Sequence, residues 1–476
     1  MQVSIRNLSE ATLHPDYRWD GEYLCFEPYK NKNIKYIPIG DALISSQYGL
    51  SIAMNEDGNG SKIYRMNEIS NMMCNRNILK YAPISTDEIA SYKLNDKDVL
   101  FNRTNSQVFV GRTGIFRKFS DENLVFASYL VRVVPNSEII TPEYLTAFLN
   151  TKYGVLDIKR RARISINQSN VNAEELKRVE IPLVDSILQS QVTLAFDEAF
   201  KYIQKSEYKF NEAQTLLLTE LSLNHWQPKH RLTFIKNYSD TEVAERIDAE
   251  YYQPKYEEII KVIKAYKGGW DTLENLCYTA RGSLIPDSFY SEESGKAYIR
   301  GADFSGGILS SEKMVHIDNK FIPKNETKVY FNEIVFSLIG SVGETALVTK
   351  EFNEAYISNN TGKITCNKNI SPIVLQVLLK SIIGQMYFDK YKTQTAQPKI
   401  SNKDTHSFVL PILPKEKQSQ IQQKITESFK LRKQSKHLLE SAKKAVKIAI
   451  EQNEQTAIKW LEAQTQSIGA GNAKGL

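Results

Sequence analysis

Cysteine is scarce in this chain, and the few that occur stand apart. Cys25, Cys74, Cys277 and Cys366 are the four in 476 residues, with no CxxC pair and no Cys/His spacing. That pattern excludes a zinc clamp or a disulfide framework readable from spacing, and it suits a reducing cytoplasm. Long apolar stretches are lacking too. The opening MQVSIRNLSEATL has no basic region leading into an apolar core, and no uninterrupted apolar run of about 18 residues follows, so neither secretion nor membrane spanning is expected. Excess charge is small: 61 Lys plus Arg face 55 Asp plus Glu, a net +6, which permits an anionic partner without requiring one. With 41% hydrophobic and 24% charged residues, disorder and low complexity are also excluded.

Catalytic signatures are missing as well. The sequence contains no Walker loop, GxGxxG or HExxH, and no (Asp/Asn)-Pro-Pro-(Tyr/Phe) box of the kind that grips a target amine in amino-methylating enzymes. The six histidines, His14, His225, His230, His316, His406 and His437, are scattered, which favours surface or capping roles over metal ligation. Two weak motifs suggest other classes. Pro286-Asp287 with Glu292, Glu293 and Lys296 has the residue types of a nuclease metal site, but Ser294 stands where a second acid is needed, and a solvated loop explains the run better. Ile339-Gly340-Ser341-Val342-Gly343 is similar to the Gly-x-x-Gly backbone clamp of RNA-binding KH domains. A hairpin turn between Val335-Phe336 and Thr345–Val348 accounts for it about as well.

What the sequence does contain is itself, twice. Arg18-x-Asp20-x-Glu22-Tyr23 returns as Arg246-x-Asp248-x-Glu250-Tyr251, a shift of 228 (246 − 18). Asp98–Phe101 returns as Glu333–Phe336 at a shift of 235 (336 − 101), and Val110-Gly111 as Val342-Gly343. Pro142, Leu145, Leu149 and Gly154 pair with Pro372, Leu375, Leu379 and Gly384. Gln168, Pro182, Gln189-Ser190-Gln191 and Phe200 then pair with Gln397, Pro411, Gln418-Ser419-Gln420 and Phe429. Collinear matches with slowly drifting shifts indicate duplication.

Each half begins with short Val/Ile/Phe/Tyr-rich runs punctuated by Gly, Asn and Pro, a mixed α and β pattern, and ends in a long helix. Val192, Phe196, Ala199, Ile203, Ser206, Phe210, Ala213 and Leu217 follow the four-and-three steps of a heptad seam. The equivalent Ile421, Ile425, Ser428, Arg432, Ser435, Leu439, Ala442 and Val446 form a weaker one, interrupted by Arg432 and two serines. Two such helices can satisfy their seams on each other. The expectation is therefore an α+β chain: a recognition domain at 1–184, a spacer helix at 185–226, a second domain at 227–413, a second helix at 414–465, and a flexible tail from 466.

Basic and amide side chains recur at matching places. Lys159, Arg160, Arg161 and Arg163, with Gln168, stand before the first long helix, and Lys390 and Lys392, with Gln394, Gln397 and Lys399, before the second. Either run alone reads as a solvated face. Their recurrence favours contact with nucleic acid, because Lys and Arg neutralise phosphates while Gln and Asn can read base edges.

The order of globular region, Pro-led helix, second globular region and second Pro-led helix resembles the specificity subunits of type I restriction-modification systems. Pro182 with Gln189-x-Gln191, Pro411 and Pro414 with Gln418-x-Gln420, and the repeated Arg-x-Asp-x-Glu-Tyr carry the resemblance, which spans the chain to about residue 465. It implies two target-recognition domains, each binding one part of a split site in double-stranded DNA, held apart by two antiparallel coiled-coil helices. It also implies no catalysis and no cofactor on this chain. Two copies of an adenine methyltransferase subunit carrying S-adenosylmethionine, and restriction (translocase/endonuclease) subunits, would be its partners in the cytoplasm. The implied DNA contacts are the basic runs, Gln168 and Gln397, and the loops holding Arg103, Asn105, Gln107 and Arg112 and, opposite them, Ser341. An RNA-binding protein with KH-like modules and a nuclease using Asp287 and Glu293 are the alternatives.

Overall fold

A computed structural model describes residues 18 to 473 apart from 19, 26–27, 121, 166–167, 292–294, 306, 312–313, 319 and 322–326. The chain divides into two compact units. One comprises the residues up to Lys205 together with Leu431 onward, and the other runs from Ser206 to Lys430. Among the described residues, no helix is long and apolar enough to cross a membrane.

The duplication is visible in the sheets. In the first unit a six-stranded sheet runs in the order Leu43–Tyr48, Leu130–Pro135, Val99–Asn102, Thr113–Ile115, Met73–Cys74, Ile69–Ser70. In the second unit the order is Cys277–Arg281, Thr361–Cys366, Ile334–Ser337, Thr345–Leu347, Ile308–Leu309, Phe304–Ser305. Each strand occupies the place of its sequence counterpart. The third strand of each sheet is buried along its whole length, and its period of two explains why. Val99 and Phe101 face a core shared with helices, whereas Leu100 faces a second cluster with Tyr64, Phe116 and Phe126. Ile334 and Phe336 likewise face the helical core, and Val335 the second cluster. A smaller sheet covers that second side and contains a parallel pair in both units: Ser61–Tyr64 with Val125–Phe126, and Lys296–Ile299 with Ala355–Ile357.

Two short helices back each large sheet: Pro142–Leu149 and Lys152–Arg161 in the first unit, Pro372–Lys380 and Ile382–Tyr391 in the second. Proline opens the first of each pair, where its fixed φ suits a helix start and its missing N–H is not needed. The glutamine of each Gln-x-Gln then ties the long helix to this start. Gln189 accepts from the Thr141 amide at 2.8 Å and donates to the Ile139 and Val184 carbonyls. Gln418 repeats the arrangement with the Ser371 amide at 2.9 Å and the Asn369 and Leu413 carbonyls.

The long helices span Ser186–Glu220 and Lys415–Glu451. In the first unit Val192, Phe196 and Ala199 share a core with Leu439, Ala442 and Val446. In the second, Ala213 and Leu217 share one with Ile421 and Ile425. The seam serines that weaken the second heptad on paper are buried, and Ser428 meets Ser206 with 2.9 Å between their hydroxyls. Lys209–Glu427, Glu212–Lys424 and Glu220–Lys417 ion pairs flank this stretch in antiparallel order.

Two details differ from the sequence reading. The second long helix is interrupted near Asn453, whose side chain caps a new helix at the Thr456 amide, because Asn competes well for free amides at an N-cap. That new helix, Glu454–Ala473, also continues past Ser467, where composition suggested a frayed tail. Ala457 and Leu461 anchor its first turns in the core, and backbone hydrogen bonding propagates from there.

Candidate nucleic-acid interface

The repeated Arg-x-Asp element makes the same construction in each unit. Arg18 forks onto Asp20 with Nε–Oδ2 2.7 Å and Nη2–Oδ1 2.9 Å. It also donates to the carbonyls of Arg161 at 2.7 Å and Ala162 at 3.5 Å, where the second short helix ends. Arg246 forks onto Asp248 at 2.7 and 3.0 Å and donates to the carbonyls of Tyr391 at 2.8 Å and Lys392 at 3.1 Å. The tyrosine of each element lies under its arginine, 4.8 Å for Tyr23 and 4.6 Å for Tyr251. A cation at the C-terminal carbonyls of a helix satisfies acceptors that have no partner within the helix.

This construction changes the meaning of the basic runs. Arg160 and Lys390 are equivalent, and each sits 4.7 Å from the ring of its own element's tyrosine, Tyr23 or Tyr251. Packing of a cation on that ring is one reason for their recurrence. Arg160 also pairs with Asp157, and burial holds the Lys390 ammonium below the usual lysine range. Arg161 is no surface cation at all. It is 5% exposed and bonded to Asp157 at 3.0 Å and Glu175 at 3.2 Å. Its expected place among the DNA contacts is therefore corrected: the helical period turns this residue of the run inward, where two carboxylates neutralise it.

Other expected residues do come together. In the first unit Thr104–Asn105, Arg163–Ser165 and Gln168–Asn170 form a small three-stranded sheet, with Ser169 opposite Asn105 and Ser165 opposite Gln168. Arg163, Ile164 and Gln168 are exposed on it. Arg103 leads into the sheet, 4.9 Å over the Tyr48 ring and 3.4 Å from Asn170 Oδ1. Gln107 is exposed in the following turn, whereas Arg112 lies 4.4 Å over Phe109 in that turn. Lys159 is partly exposed on the last turn of its helix.

The second unit builds the equivalent place from loops. Ile339 bridges Lys399, the Gly340 amide donates to the Pro398 carbonyl at 2.9 Å, and the Thr393 amide donates to Lys399 at 2.8 Å. Ser341, Gln394, Gln397 and Lys399 are all exposed here, and Lys392 pairs with Asp389 at 2.6 Å. The Gly340–Gly343 loop is the turn of an antiparallel hairpin between Ile334–Ser337 and Thr345–Leu347. Its glycines answer to packing. Gly343 has φ +96° against Phe388, and its counterpart Gly111 has φ +88° where a Cβ would stand 2.5 Å from Ile158. The KH reading gains no support from this geometry. Of the nuclease residues, Asp287 is exposed in a short turn, Glu292 and Glu293 lie outside the described residues, and no metal-holding group of acids, His or Cys occurs among the described residues.

Residues 268–441 match the family described as the type I restriction modification DNA specificity domain. A putative type I restriction enzyme specificity subunit, MjaX of Methanocaldococcus jannaschii, is 25% identical over 441 residues, covering 88% of this chain and 95% of that protein. The chain thus carries a type I DNA specificity domain over residues 268–441 and is similar to a type I specificity subunit along most of its length. The EcoKI specificity subunit of Escherichia coli is 25% identical over 189 residues, 40% of each chain. The solved specificity subunit of M. genitalium is 14% identical, covering 92% of this chain and 99% of that one, at a TM-score of 0.33.

The sequence reading passed over Thr104 and Asn170, which pair in the small sheet of the first unit, and Tyr48, which lies beneath Arg103 beside it. Asn170 donates to Thr104 Oγ1 at 2.8 Å, and the Tyr48 hydroxyl accepts from the Ala173 amide at 2.9 Å. Asn170 follows Gln168 by two residues, so strand periodicity would have placed it on the same face. Tyr48 had no such signal. Cys277 and Cys366, far apart in sequence, are cross-strand neighbours with 3.7 Å between their sulfurs.

Proposed function

We propose that the chain is a type I specificity subunit that recognises DNA and leaves catalysis to methyltransferase and restriction partners, that each globular half reads one part of a split duplex site, and that the two long helices set the interval between the parts. The recognition domains are 1–184 and 227–413, and the helices occupy 185–226 and 414–465. The observation that carries this reading is the common sheet order of the two units combined with polar surroundings that differ beside one shared glutamine. Half-buried Arg103 and Asn105 and exposed Arg163 accompany Gln168 in the first, and exposed Ser341, Gln394 and Lys399 accompany Gln397 in the second. A shared scaffold with divergent polar loops suits two domains that read different bases. Gln107, Arg112 and Lys159 in the first half and Lys392 in the second add backbone or base contacts, while Arg160 and Lys390 stand behind them.

Two copies of an adenine methyltransferase subunit dock on the duplicated chain, bringing S-adenosylmethionine, and no cofactor resides on the specificity subunit. The complex works in the cytoplasm. Mapping methylated adenines in cells that carry a partner methyltransferase subunit, with and without this chain, tests the reading. A split motif that appears only with the chain supports it. Methylation independent of the chain, or an unsplit motif, refutes it.

A further inference from the structure

We propose that Arg18 and Arg246 are positioning residues for base readout: each fixes where a helix ends and therefore how the adjoining recognition segment leaves it. The inference rests on the proposed reading of one half-site per unit and adds to it the residues that aim the reader. Four observations carry it. Each arginine is held by its own aspartate in a two-bond fork, so the guanidinium is oriented before it meets anything else. Each spans the last two carbonyls of a helix, those of Arg161 and Ala162 or of Tyr391 and Lys392. The residue that leaves the helix then has nearly the same backbone in both units, φ −63° and ψ 137° at Ala162, φ −63° and ψ 149° at Lys392. Within a few residues of that exit stand Arg163 and Gln168 in one unit, Gln394, Gln397 and Lys399 in the other, all exposed.

The chemistry is specific to arginine. A planar guanidinium makes the two-bond fork to a carboxylate and still reaches two carbonyls, four bonds in all, whereas lysine has three donors on a flexible stem and cannot make the fork. Arg18 itself is 8% exposed, so it acts through the segment it aims and not on DNA.

The test uses the complete complex in cells. Methylated adenines are mapped for the wild type and for Arg18→Lys and Arg246→Lys, and variant abundance is measured in parallel. We expect Arg18→Lys to cut discrimination roughly tenfold at some positions of one half-site, about the effect of one mismatched pair, while the other half is read as before. Arg246→Lys does the converse. Uniformly lower methylation with an unchanged motif means a merely structural role and overturns the proposal. Should either lysine variant fail to accumulate, Asp20→Asn and Asp248→Asn, which keep the carbonyl bonds but weaken the fork, give the same half-specific readout, and its absence there also overturns the proposal. A wild type that yields no split motif would instead refute the half-site reading itself.

Discussion

Arg161 and Arg163 are two residues apart, yet their surroundings differ so much that their replacement separates stability from binding. Arg161 is enclosed with Asp157 and Glu175, side chains 5% and 2% exposed. Arg161→Ala leaves two buried carboxylates with one cation fewer and is expected to cost about 3–5 kcal/mol, lowering the melting temperature. Arg163 is exposed on the small sheet. Arg163→Ala should leave the melting temperature nearly unchanged and reduce the salt dependence of duplex binding by about one phosphate contact. Thermal melts and binding at several salt concentrations check both, and a reversed assignment would return Arg161 to the DNA surface. The sequence could place both arginines in one run but could not tell them apart. The acids that claim Arg161 lie on its own helix and on Ala173–Lys177, and only the fold brings the second one near.

Heptad spacing made the long helices legible, because a seam is a local pattern and nearly every seam position is buried where it should be. What spacing alone could not show is how the polar seam residues are satisfied. Ser428 donates to the Ser206 carbonyl at 2.8 Å as well as meeting its hydroxyl. Ser428→Ala should therefore destabilise by about 1 kcal/mol, and the Ser206→Ala, Ser428→Ala double variant should recover most of that loss, since two apolar partners leave little unsatisfied. A double-mutant cycle in thermal unfolding measures it. The flanking ion pairs predict an acid response. Hydrogen bonds from Lys424 to Glu212 and from Lys209 to Glu427 hold these carboxyls below their usual value of 4.5. Their contribution is present above that value and is lost as pH falls through the lowered folded ones. The melting temperature should consequently drop on acidification below 4.5, by a small amount that added salt diminishes, because these pairs face solvent.

On the scale of the whole chain, duplication was the most legible property. Anchors such as Gln189 and Gln418 mark positions where both halves need the same backbone tie, and these recur as residues and as hydrogen bonds. The proposed reading surfaces were less legible because they are the places where the halves diverge. The first unit builds a three-stranded sheet where the second has a single bridge between Ile339 and Lys399. The unit boundaries fall after Lys205 and Lys430, so an insertion there lies inside neither unit. Inserting one heptad after each adds about 10 Å, roughly three base pairs, and turns the duplex by roughly 100°. A spacer longer by that amount, or lost activity, is expected in methylation mapping, and unchanged modification of the original site would refute the proposal that the helices set the interval. The central claim is separate reading by the two halves, and exchanging residues 36–180 for the equivalent region of a relative with another target tests it most directly. Mapping methylated adenines in cells carrying the hybrid should show one half of the site replaced, with the other half and the spacer unchanged. A hybrid that changes both halves would contradict the account.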